Sequence, residues 1–259
     1  MDNNLLNLRS ETIEAYEAIR TMEPIADVRL QTMTQRTWLG RMVNEYGSSD
    51  VFHHFADQCY RANMPIEDIE RLKEFALEEK RHGILCGTVV EHFGGLAIAP
   101  SLEQPDFPMH TEVSGLEGVL RNLLSICCLS ETVAVALIAA EREDMPDSPL
   151  KTLLTEIWSD ECGHAHFGWR KLQEWLPNEP EIKANLSEYL CIAFAHLETH
   201  ELAHLPLEST PPKEGAQYGL CSGTTARALF YATVEGIIIP NLQQYGIAAD
   251  WAWENRFRY

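Results

Sequence analysis

Positive charge is scarce in this 259-residue sequence. Its 20 lysines and arginines stand against 39 aspartates and glutamates, a formal net charge of −19. A protein that grips nucleic acid needs a basic patch facing the phosphates, so that class of partner is excluded. Paired cysteine motifs are missing too: the seven cysteines include no C-x-x-C and no rubredoxin-like quartet. No signal-peptide pattern stands at the N-terminus, so reduced thiols and a cytoplasmic location are expected. Uninterrupted apolar runs are too short to span a bilayer, and no membrane partner is expected. Phosphate loops and nucleophile–base triads are absent as well. Alternating strand patterns are rare, which leaves an all-α chain.

What is present is helical spacing, cut into long blocks by proline and glycine. One block covers 32–63 and stops at Pro65; the next covers 65–93 and ends at Gly94-Gly95. A proline-rich connection leads to Ser114-Gly-Leu-Glu117, which has capping-box spacing. The third block runs to about Asp144. Ser148-Pro149 opens the fourth, and Pro177 closes it. Shorter helices are expected at 10–20, 180–204 and 222–239. Turns, not long linkers, separate these pieces, so residues 1–259 read as one domain with a four-helix core over about 32–176.

Each central block carries acid on its apolar stripe. The second block repeats Leu72, Phe75, Glu79, His82, Cys86 and Val90 at steps of three and four. The fourth does the same with Leu154, Ile157, Glu161, His164, Gly168 and Leu172. The third centres Glu131 between Leu120, Leu124, Cys127 and Val135, Ile138. The first gives Trp38, Met42, Glu45, Ser49, Phe52 and Ala56, although Gly47-Ser48-Ser49 is a candidate helix break. Four glutamates and two histidines therefore face one interior with few basic residues beside them. Unneutralised buried carboxylates cost several kcal/mol each. Two divalent cations would balance four carboxylates, and carboxylate with imidazole suits iron or manganese.

The order Glu45, Glu79-x-x-His82, Glu131, Glu161-x-x-His164 resembles the ferritin-like superfamily of non-haem, carboxylate-bridged diiron proteins. The resemblance covers about residues 34–176. It implies a ferritin-like four-helix bundle with additional N- and C-terminal helices, and two iron ions or an iron–manganese pair as cofactor. By it, Glu79 and Glu161 bridge the metals, Glu45 and Glu131 are terminal carboxylates, and His82 and His164 are the nitrogen ligands. Glu78 and Asp160 resemble acids that orient ligand histidines from behind. Beyond the metal site the pattern points to no separate catalytic residue. Ser48, Ser49, Cys127 and Cys128 lie within about a turn of a ligand glutamate and are candidates for a pocket wall.

The activity implied is that of an oxidoreductase. It would activate dioxygen to hydroxylate, N-oxygenate, desaturate or cleave a small organic molecule, with an external electron donor. The alternative is a ferritin-like protective protein that reduces peroxide or oxidises and stores iron. Assembly as a homodimer is compatible with either. Two more acids, Glu201 and Glu235, fall in apolar surroundings and are weaker candidates for the site, with Arg227 as a neutralising partner. His196, His200 and His204, at steps of four, read as a half-exposed helix edge. Arg41, a turn before Glu45, is expected to pair with a nearby acid.

Overall fold

The computed structural model describes residues 5–100 and 106–258. The chain is mostly helical, with one small antiparallel pairing of β1 (Leu5–Asn7) and β2 (Ile98–Pro100). It divides into two compact units, each assembled from three separate stretches of sequence.

The first unit is built on two long helices. Helix α1 (Val28–Arg61) starts where the Asp27 carboxylate accepts from the Leu30 amide at 2.7 Å. It then runs unbroken through Gly47-Ser48-Ser49 for 34 residues, about 50 Å of rise. Helix α2 (Ile66–His92) packs along it and ends at Gly94, whose φ of +81° is the left-handed stop a glycine permits. The stripe positions Trp38, Met42, Phe52, Ala56, Leu72, Phe75, Cys86 and Val90 are all buried. At Gly83 the two backbones come so close that a Cβ would lie 2.7 Å from the Tyr46 Cβ. The Trp38 indole donates to the Tyr218 carbonyl at 2.9 Å, tying the 211–221 segment to α1.

The second unit holds α3 (Gly115–Leu123), a π-helical stretch (Leu124–Ser130) and α4 (Glu131–Asp144) up to Ala140. It also holds α5 (Pro149–Trp175) from Trp158 onward, α6 (Pro180–His204), α7 (Gly223–Thr233), α8 (Ile239–Gln244) and α9 (Ala249–Asn255). Ser114 caps α3 by accepting from the Glu117 amide at 3.2 Å. The reciprocal half of the capping box does not form: the Glu117 carboxylate accepts from Arg121 and Asn185 instead. Arg256 donates two hydrogen bonds to the Glu198 carboxylate, fastening the C-terminal turn to α6.

Three expectations need correction. Residues 10–20 do not form a helix; turns lead into a short 3₁₀ helix at Glu17–Thr21. The Leu8 carbonyl accepts from both Glu11 and Thr12 amides, a single turn that is not continued, and the Thr12 hydroxyl donates to the Arg9 carbonyl. The 222–239 helix is interrupted by a π-helical stretch at Val234–Ile238 and continues to Gln244. Pro240, lacking an N–H, prevents a regular ladder there. Finally, Gly115–Asp144 is long and apolar enough, by length and composition alone, to cross a membrane. Half of its most apolar stretch is buried in the protein, and Ser125, Ser130 and Glu131 had broken that stretch into shorter runs.

Close approach in the second unit depends on Gly168, where a Cβ would sit 2.5 Å from the Cys127 Cβ and 2.8 Å from its carbonyl carbon. Gly168→Ala is expected to cost about 1–3 kcal/mol through overpacking. Gly40→Ala, on exposed α1 surface with nothing within 4 Å, should stabilise by about 0.5–1 kcal/mol. Urea unfolding of the two variants checks both signs.

Candidate metal centre

Each unit brings together two carboxylates and an imidazole. In the first, α1 supplies Glu45 and α2 supplies Glu79 and His82. One ligand atom from each lies within 4.8 Å of the other two. The i, i+3 spacing sets Glu79 and His82 on one face of α2. Glu79 is 2% exposed and His82 fully buried, while Glu45 is half-buried. His82 Nδ1 stands 3.5 Å from Glu45 Oε2.

The second unit repeats this with Glu131 from α4 and Glu161 and His164 from α5. These three again offer ligand atoms within 4.8 Å of one another. His164 Nδ1 stands 3.5 Å from Glu131 Oε2 and 3.6 Å from Glu161 Oε2. All three residues are buried.

The donor sets fit a metal. Separations of 3.5 Å are long for an N–H···O bond. Donors each about 2.1 Å from a shared ion stand about 3–3.5 Å apart. Hard carboxylates with a borderline imidazole match iron, manganese or zinc. Arg41 is ion-paired with Glu141; burial works against its charge, but that carboxylate more than offsets it and raises the guanidinium pKa. Arg41 is thus committed to an acid and carries no free charge toward a substrate. Arg81 pairs with Glu156 at 3.6 Å.

The remaining candidates take varied positions. Glu78 accepts from Arg71 at 3.2 Å, and Asp160 is half-buried on α5. Ser49 is buried on α1, while the Ser48 hydroxyl donates to the Asn44 carbonyl. Cys127 and Cys128 are fully buried, and burial pushes the Cys128 thiol well above its ordinary pKa, so it stays protonated. Cys127 packs on Gly168. Glu201 pairs with His200 at 3.2 Å on α6. Glu235 is exposed, contrary to its apolar sequence surroundings, because the π-helical stretch turns Glu235, Gly236 and Ile237 outward together. Arg227 neutralises neither acid: it donates to the Leu202 and Leu205 carbonyls at the end of α6.

Sequence reasoning missed the π-helical stretch that ends where Glu131 begins. Such stretches widen the helix by one residue per turn and are frequent at functional sites. No family model matches the chain, and comparison with curated proteins and with solved structures finds no match.

Metal binding should show as linked stability. One ion held a hundredfold above its dissociation constant raises stability by about 2.7 kcal/mol. Glu131→Gln replaces a buried carboxylate by a neutral amide, so the metal-free variant should unfold at or above the wild-type temperature. Its rise in Tm on adding ferrous or manganous ion should be largely lost. Thermal unfolding with and without chelator checks this, and a full wild-type rise in the variant would remove Glu131 from the ligand set.

Proposed function

We propose that each of the two clusters holds a metal ion and that the protein is a non-haem diiron oxidoreductase of ferritin-like pattern. The observation that carries this reading is the repeated geometry. In each unit a Glu-x-x-His histidine turns Nδ1 to a carboxylate oxygen of the glutamate on the preceding helix, at the same 3.5 Å. Two unrelated buried ion pairs have no reason to agree in partner type and distance. Two divalent ions, one held by Glu45, Glu79 and His82 and the other by Glu131, Glu161 and His164, would balance the four acids.

Two ferrous ions, when bound, would supply electrons that reduce dioxygen, which in turn takes electrons from an organic substrate. The chain's own part is to orient the ligands, exclude water and leave room for the substrate. Glu79, Glu161, His82 and His164 are buried, so the donors are held in a dry setting before any ion arrives. Iron storage or peroxide removal needs little beyond the residues up to about 176. The helices α6 to α9 add walls that an organic substrate site can use, which favours the oxygenase reading over the protective one.

Anaerobic titration should load two ferrous ions per chain, read by metal analysis, followed by an oxygen-dependent change in their absorption. Uptake of a single ion would refute the dimetal reading. Ser49→Phe fills space one turn from Glu45 and should keep both ions while losing oxidation of any substrate that the wild type turns over. If the variant keeps its ions and the wild type turns over peroxide but binds no organic molecule, the protective reading replaces this one.

A further inference from the structure

A second, separate group of metal-binding side chains lies on the surface of α6. His200 and His204 are exposed, one turn apart, with ring centroids 4.5 Å from each other. Each ring already has one nitrogen engaged. His200 Nδ1 stands 3.2 Å from Glu201 Oε1, and His204 Nδ1 stands 2.9 Å from the His200 carbonyl oxygen. A carboxylate and a carbonyl can only accept, so both Nδ1 atoms carry the proton. In the neutral rings, Nε2 is then the lone-pair nitrogen of both. Histidines that bind metals almost always donate their other N–H to a carboxylate or backbone carbonyl, and both kinds of partner are in place here.

The ring spacing agrees. An ion about 2.1 Å from Nε2 lies about 3.2 Å from the ring centroid, and two such rings that subtend a right angle at the ion have centroids about 4.5 Å apart. We infer that Nε2 of His200 and Nε2 of His204 form a surface site for one divalent transition metal of the class that favours imidazole, such as nickel, copper or zinc. Solvent completes the coordination. The site belongs to α6 alone and does not depend on the buried carboxylate clusters.

Nickel ion added to the full-length protein tests it by calorimetry and metal analysis, with His200→Gln, His204→Gln and His196→Gln compared side by side. The buried clusters are identical in all of these proteins, so differences report α6 only. The wild type should bind one nickel per chain more than His200→Gln or His204→Gln, with circular dichroism unchanged. His196→Gln, one turn away, should bind as the wild type does. Glu201→Ala should keep the site but weaken it by about 10–100-fold, because the tautomer of His200 is no longer held. If either His200→Gln or His204→Gln takes up as much nickel as the wild type, the site is not there.

Discussion

Burying carboxylates is the constraint on which the rest of this structure depends. Glu79, Glu131 and Glu161 are each less than a tenth exposed, and each sits on the face of a helix that otherwise packs aliphatic and aromatic side chains. A buried acid must be paired, protonated or bound to a cation. The helices that carry Glu79 and Glu161 are long and regular, so these donors are held by packing along the whole element and not by a loop. That rigidity fixes donor positions in advance, as a metal site requires.

Close helix approach follows from the same need. Short acid side chains reach a common point only if the helices carrying them lie near one another. Gly83 directly follows His82, and Gly168 stands one turn beyond His164. Both mark places where any side chain would collide with the facing helix. In the first unit the facing residue is Tyr46, next to Glu45; in the second it is Cys127, one turn before Glu131. The glycines thus belong to the functional pattern, although neither can bind anything.

Much of this was legible in the sequence because the buried stripes of α2 and α5 keep strict helical steps, and their acids stand out against Leu72, Phe75, Leu154 and Ile157. The stripe ahead of Glu131 was less legible. Cys127, Cys128 and Leu129 are buried in succession, and beyond the π-helical stretch Glu131, Thr132, Val133 and Ile138 are buried, with Val135 half-buried. A one-residue slip of the ladder leaves no mark on composition, so steps of three and four drawn through it miss the burial of Thr132 and Val133. Glu235 was misjudged for the same reason. The three-residue strands are too short for alternation to register, and Gly47-Ser48-Ser49 looked like a break because local propensity ignores the packing that holds α1 together.

Histidine protonation separates the two kinds of site. On α6, Nδ1 of His200 and His204 lies at hydrogen-bonding distance from oxygen atoms that can only accept, which directs the lone pair to Nε2 and outward to solvent. In the interior, Nδ1 of His82 and His164 faces carboxylate oxygens at 3.5 Å, beyond an ordinary hydrogen bond but at the spacing of two donors around one ion. The same nitrogen is a tether on the surface and, under the proposed dimetal reading, the ligand atom in the core. The difference follows from what stands opposite it: a nearby acceptor draws in a proton, whereas two carboxylates held slightly too far away leave room for a cation.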